Sequence, residues 1–428
     1  MSRFLCFAMS LALVLATAST TLAQNWPTWR GPHLNGVSEA KSPPTKWSKT
    51  ENVLWRTELP GPAGSTPVVW EDQIFLTSVE GDQLVLVCLG TDGKMQWKKN
   101  VGAGNKDVRG DEGNSASPTP TTDGKHVWAF FANGIFVCYD IEGNEIWKFN
   151  VEDRFGKLDI AFGMTSTPIL DGDRIYMQLI HGEGKPETRE ATVACLDAET
   201  GETIWKTGRP SDAHSECEHS YASPILYRDD QREYLVTHGA DYAVAHSLDD
   251  GAEIWRIGDL NPKGNYNPTL RFVASPAGNE GLIVIPTAKN GKVVAVDPAA
   301  KGDITGNEQF VRWAMPNNTP DVPSPLIKDG LVYLCRENGN LMALDATSGE
   351  VLYEERTERD RHRASPVWAN GNVYTTARNG TVTVTKAGRT FEMVSQNTTG
   401  EPMTASPIIV DGRIYLRSFD ALWAIGEE

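Results

Sequence analysis

An all-β ring of eight four-stranded antiparallel blades, a β-propeller, is the fold that this 428-residue sequence predicts. Three observations carry the prediction. A small residue followed by proline returns eight times, at intervals of 41 to 56 residues. Short apolar runs, separated by Asp-Gly and Asn-Gly turns, fill each interval. A turn glycine stands four residues before an aromatic in five of the units. Periods of this length mark an array whose units bury their faces on one another. Composition agrees: 40% hydrophobic and 22% charged residues belong to a packed chain. A net charge of −16 argues against nucleic acid, because a phosphate-binding face needs a basic excess.

Taken in order, residues 1–23 read as an export signal. Arg3 gives a positive start, residues 4–18 are apolar but too short to span a bilayer, and Thr21-Leu22-Ala23 offers a small-x-small cleavage site. No later stretch approaches 18 apolar residues, so the expectation is a periplasmic or secreted chain that is not membrane-spanning. Residues 24–50 are expected to form an irregular N-terminal arm on the outside of the molecule. Residues 51–428 are expected to be a single propeller domain.

The repeated dipeptides are Thr66-Pro67, Ser117-Pro118, Thr167-Pro168, Ser223-Pro224, Ser275-Pro276, Ser324-Pro325, Ser365-Pro366 and Ser406-Pro407. After each comes a short apolar run and then, in many units, a turn such as Asp329-Gly330, Asn370-Gly371 or Asp411-Gly412. A β-rich run follows (RIYMQ, LVYLC, NVYTT, RIYLR), then a second turn, a third apolar run and a fourth run ending in an aromatic. Such turns favour two-residue hairpins, and four antiparallel strands are the content of a propeller blade. Glycine and aromatic pair as Gly93 and Trp97, Gly143 and Trp147, Gly201 and Trp205, Gly251 and Trp255, and Gly349 and Tyr353. Trp55, Trp97, Trp147, Trp205, Trp255, Trp313 and Tyr353 are therefore expected to wedge between blades, each ring burying about 150–250 Å². After Pro407 only three strands remain (PIIV, RIYLR, ALWAI), so residues 52–56 are expected to complete the last blade and close the ring. Cys88, Cys138, Cys195, Cys217 and Cys335 are odd in number and well separated; Cys88, Cys138 and Cys195 lie in apolar runs, and the expectation is buried small hydrophobes.

The segment CLDAETGETIW at 195–205 resembles the tryptophan-docking repeat of the PQQ (quinoprotein dehydrogenase-like) β-propellers, Ala-x-Asp-x-x-Thr-Gly-x-x-x-Trp. Cys195, Asp197, Thr200, Gly201 and Trp205 match it with Cys in place of Ala; Ala343, Asp345, Gly349 and Tyr353 match with Tyr in place of Trp. The opening WPTWRGPHLNGVS at 26–38 is also similar to the start of exported bacterial members. The resemblance implies the fold over about residues 25–425. It leaves two kinds of activity open: dehydrogenases that use PQQ with Ca²⁺ and an Asp base, and non-catalytic members such as the propeller lipoprotein of outer-membrane protein assembly. This chain lacks the vicinal Cys-Cys of the alcohol dehydrogenases, a haem-attachment Cys-x-x-Cys-His and a cysteine at the cleavage point.

Connections from an outer strand to the next innermost strand lie on one face of a propeller, around its channel. Four consecutive ones are long here, about 20 residues each from aromatic to proline, and long loops on a rigid scaffold are where binding concentrates. The candidate ligand residues on that face are Arg109, Asp111, Glu112, His214, His219, Tyr221, Arg271, Arg361 and His362. They suit an anionic or polyhydroxyl ligand, or a peptide. His214-x-x-Cys217-x-His219 holds metal-ligating types, but its spacing matches no defined zinc motif, and no metal site is expected. No nucleophile elbow, Walker loop or His-Glu-x-x-His is present, so no catalytic residue is assigned. The function expected is a non-catalytic binding or scaffolding module of the periplasm or cell envelope. Its partner would be an envelope protein or a small polar ligand, and no cofactor is assigned. The alternatives are a PQQ- and Ca²⁺-dependent alcohol or sugar dehydrogenase and a carbohydrate-binding or carbohydrate-processing protein.

Overall fold

The computed structural model describes residues 24–108, 113–182 and 190–427. The signal assigned to residues 1–23 lies outside them. The chain folds into eight antiparallel blades. Blade 1 comprises Val68–Trp70, Gln73–Glu80, Gln83–Gly90 and Met95–Ala103; blade 3 comprises Ile169–Asp171, Arg174–His181, Glu190–Asp197 and Thr203–Gly208. The second and third strands are covered on both faces by neighbouring blades, which is why they read as nearly unbroken apolar runs. The outer strand alternates exposed and half-buried residues along Thr203–Gly208. At Asp329-Gly330, Asn370-Gly371 and Asp411-Gly412 both residues have positive φ, the backbone of the two-residue turn that the sequence predicts.

The aromatics of the outer strands differ in what they pack against. Five of the docking indoles pack against the turn glycine of the next blade, not their own. Trp55 lies under Gly93, Trp97 under Gly143, Trp147 under Gly201, Trp205 under Gly251 and Trp313 under Gly349. A Cβ on any of these glycines would stand 2.6–3.0 Å from the ring. Each indole Nε1 donates to a carbonyl two or three residues before that glycine, at 2.9–3.1 Å. Trp255 is fully buried instead beneath an excursion of blade 5, whose Gly302–Asp303 pairs in parallel with the outer strand of blade 4. Tyr353 meets Phe391 edge-on at 5.7 Å. Blade 7 has Ser395 in the docking register, opposite Val384.

The small residue before each proline has a second task. From blade 2 to blade 8 its hydroxyl accepts the backbone N–H of its counterpart in the preceding blade: Thr66 to Thr119, Thr119 to Thr167, Thr167 to Ser223, Ser223 to Ser275, Ser275 to Ser324, Ser324 to Ser365 and Ser365 to Ser406, at 2.8–3.2 Å. These bonds form a girdle around the channel. They also correct the second repeat. Its structural dipeptide is Thr119-Pro120, followed by the inner strand Thr121–Thr122, while Ser117 sits one level higher.

The N-terminal strand Val53–Glu58 pairs antiparallel with Ala421–Ile425, in one sheet with Arg413–Arg417 and Ile408–Val410. The arm before it is not on the outside. It crosses the far end of the channel. Trp26 bridges Val69 of blade 1, and the Pro27 carbonyl accepts from Thr122 N of blade 2. Arg30, fully buried, donates to the carbonyls of Pro325 and Pro366 at the starts of blades 6 and 7. Val37–Ser38 pairs in parallel with blade 7, and Ser38 Oγ reaches Ile409 O of blade 8. Trp47 is buried in the core shared by blades 7, 8 and 1, with its N–H on Asn397 Oδ1. The arm therefore supplies an indole beside blade 7, whose docking position holds Ser395.

Candidate functional site

The channel is built in layers that follow the repeat. At its far end stands Trp29 of the arm, with the hydroxyl girdle above it. Two residues before each girdle position, the chain presents the next layer: Gly64, Ser117, Thr165, Tyr221, Val273, Val322, Arg363 and Thr404. All eight line a cavity of about 440 Å³ at the mouth. Six of them are small or branched; Tyr221 and Arg363 break the symmetry. Outside this layer, Arg271, Lys289, Asp321, Glu337 and Arg361 complete the wall, with Phe162 and the turn residues Val108, Gly113 and Asn114.

The charges of the mouth are tied to one another. Arg363 Nη2 stands 3.2 Å from Glu337 Oε1, and Arg361 Nε stands 4.0 Å from the same oxygen. Burial raises the Glu337 carboxyl, with Asp321 beside it acting in the same sense, while the two arginines oppose them. Arg271 pairs with Glu216 at 3.2 Å and lies over the Phe162 ring at 5.0 Å. Phe162 in turn packs on Tyr221 at 5.8 Å. Lys289 lies in a turn of positive φ. Its backbone N–H bonds Asp321 Oδ1 at 3.0 Å, and its Nζ donates to Thr269 Oγ1 at 2.6 Å. Burial and then the nearby Arg271 charge hold its ammonium below the usual lysine range. The result is an aromatic wall on one side and an ion-pair lattice on the other, a surface suited to a polar or charged ligand.

Of the sequence candidates, Tyr221, Arg271 and Arg361 come together here. His219 is buried behind Tyr221, at 5.0 Å edge-on, with Nδ1 on the Gly182 carbonyl. His214 is exposed and stacks on Tyr266 at 4.0 Å. His362 is fully buried, with its N–H on Glu337 O and its ring between Asp360 O and Thr357 Oγ1. It pins blade 6 to blade 7 and does not line the mouth, because the isolated pairing His362↔Ala377 turns it inward. Arg109, Asp111 and Glu112 lie outside the described residues. His214, Cys217 and His219 do not converge: the Cys217 thiol donates to Asn267 O at 3.1 Å, and burial pushes its pKa up. Among the described residues no group of three or more His, Cys, Asp or Glu is placed to hold a metal. The candidates missed Lys289, Asp321, Glu337 and Arg363. Lys289 and Glu337 sit immediately before Asn-Gly turns, and Arg363 three residues before a repeated proline, so register counted from the proline was the available signal.

The sequence matches the family model described as outer membrane protein assembly factor BamB over residues 45–184 and 143–389. It is similar to the outer membrane protein assembly factor BamB of Yersinia pestis, 24% identical over 270 residues. That match spans 60% of this chain and 60% of the relative, less than two thirds of the relative's length. Among solved structures, BamB from Moraxella catarrhalis superposes with a TM-score of 0.58 at 15% identity, over 85% of this chain and 94% of that one. A europium-containing methanol dehydrogenase superposes with a TM-score of 0.67 at 12% identity, over 93% and 90%. At these identities the superpositions speak to the fold alone. No helix of the described residues is long and apolar enough to cross a membrane.

Proposed function

The chain belongs to the family described as outer membrane protein assembly factor BamB, and from that membership we propose that it is a non-catalytic binding and scaffolding module of the cell envelope, which meets its partner at the channel mouth. The observation that carries the proposal is the convergence of all eight inter-blade connections on one cavity walled by Tyr221, Arg271, Arg361, Arg363, Lys289 and Glu337. A ring held by interlocked indoles fixes those side chains in place, and preorganised groups bind at lower entropic cost than mobile ones.

The fold is shared with quinone-dependent dehydrogenases, so the fit of PQQ and Ca²⁺ bears on the proposal. Ca²⁺ takes six to eight oxygen ligands. The described carboxylates of the mouth are Asp321 and Glu337. Glu337 is committed to Arg361 and Arg363, and Asp321 to the Lys289 backbone. Arginines held this close to an acidic pair disfavour a divalent cation, and the donor set among the described residues does not fit; no step is derived through either group.

Photo-crosslinkers placed at residues 361 and 271 test the proposal, with residue 146 on an exposed outer strand as control. Positions 361 and 271 should give one shared envelope-protein adduct, and position 146 should give none. Titration with PQQ and Ca²⁺ should leave the absorbance spectrum unchanged. Dye reduction with alcohols or aldoses would overturn the proposal.

A further inference from the structure

The hydroxyl girdle surrounds a space of about 140 Å³ at the far end of the channel, below the mouth and bordered by Trp29. All eight girdle side chains line it, and each residue is only 2–8% exposed. A hydroxyl offers one donor and two acceptor sites. Seven of these oxygens already accept a backbone N–H. None of the eight donates a hydrogen bond to another of the described residues, so eight O–H groups are left to spend inside the ring.

Thr66 carries the argument furthest. It stands where blade 8 meets blade 1 and the series of hydroxyl bonds ends. The residue is 3% exposed, yet its Oγ1 neither accepts nor donates a hydrogen bond among the described residues. The Thr404 Oγ1 above it is also unpartnered but sealed from any probe; the Thr66 oxygen is not sealed, and the space it lines is the girdle's. Buried polar groups in native proteins are nearly always matched, so a hydroxyl left open in this ring marks a place for an acceptor.

The lining says which kind. It holds hydroxyls and the Arg363 guanidinium, and no carboxylate, in a chain whose net charge is −16. A cation would meet Arg363 and no counter-charge. Water can accept from the ring but must also donate; an anion only accepts, and hydrogen bonds to a charged acceptor are about twice as strong as neutral ones. The way in is cationic as well: Arg271, Lys289, Arg361 and Arg363 face Asp321 and Glu337 in the described wall of the mouth. Arg363 already shares its charge with Glu337 at 3.2 Å, which leaves the ring able to balance one negative charge rather than two. At about 30 Å³ per water, the space admits an ion of halide size with a few waters.

We propose that the girdle is a binding site for a small monovalent anion, held by its inward hydroxyls beside Thr66. The site lies below the mouth and does not depend on the partner proposed there.

Bromide is the probe. Crystals of the full chain grown in sodium bromide should show an anomalous peak inside the girdle, and crystals grown in rubidium sulfate should show none there. In solution, the chloride NMR line should broaden in the presence of the protein and sharpen again as bromide competes. Val322 lines the layer above the girdle. Val322→Asp keeps all eight hydroxyls but adds a carboxylate, and it should abolish the peak and weaken halide binding at least tenfold; Val322→Asn, of the same size and uncharged, should retain both. Should neither variant fold, the bromide and rubidium crystals of the wild type still decide. No bromide peak in the girdle of the wild type, a rubidium peak in its place, or halide binding that survives Val322→Asp would each overturn the proposal.

Discussion

Gly201 shows how a single residue sets the spacing between blades. Its φ is +70°, and an added Cβ would meet the Trp147 ring at 2.9 Å. Gly201→Ala should therefore cost about 1–3 kcal/mol, from left-handed strain and a displaced indole together; urea unfolding checks it. Trp255, fully buried beneath Ala300 and Ile304, is the stronger wedge, and Trp255→Ala should cost about 3–5 kcal/mol. A cost below about 1 kcal/mol would remove the docking role. Cys88, Cys138 and Cys195 lie opposite Trp97, Trp147 and Trp205 in register, where Ala245, Ala295, Ala343 and Ala424 lie opposite the other aromatics. These thiols serve as small residues under a ring. Burial pushes the Cys88 and Cys138 thiols up to about 12. A chromogenic disulfide should leave the five buried cysteines unreacted on the folded protein and titrate them after guanidinium is added.

At the scale of an element, the girdle turns a sequence habit into a mechanical link between blades. Removing the Ser275 hydroxyl leaves the Ser223 N–H unpaired in a buried place, so Ser275→Ala should cost about 1–3 kcal/mol and Ser275→Thr much less. The connection between blades 4 and 5 carries a pH-dependent contribution. Asp241, 5% exposed, accepts the Tyr266 hydroxyl at 2.6 Å, and burial raises its carboxyl to about 6. The folded state thus binds the proton more tightly than the unfolded state does. The contribution is fully present below the unfolded value of 3.8 and is lost as pH rises through about 6, by about 1–3 kcal/mol. Asp241→Asn should flatten denaturation midpoints across that window; an unchanged slope would exclude Asp241 as its source.

For the whole molecule, what the sequence disclosed divides by distance along the chain. The blades were legible because proline, turn glycine and indole recur within one unit. The second register slipped because Ser117-Pro118 and Thr119-Pro120 stand side by side, and only the girdle bond from Thr66 to Thr119 distinguishes them. At the mouth, Tyr221, Arg271 and Arg361 followed from loop length and charge. His362 misled because its charged neighbours hide an inward pairing. The arm was opaque: Arg30 meets its acceptors 295 and 336 residues away, and no local pattern encodes such a contact. Deleting residues 24–47 would remove Trp26, Trp47 and Arg30 together. The loss should exceed the sum expected for one buried indole, about 3–5 kcal/mol. Chemical denaturation of the shortened chain measures it, and an unchanged midpoint would relegate the arm to a passive tail.

The position of Trp29 makes the torus a cup. Whatever enters past Tyr221 must back out by the same door, so a polymer cannot be drawn through the hub, and occupancy depends on traffic at a single rim.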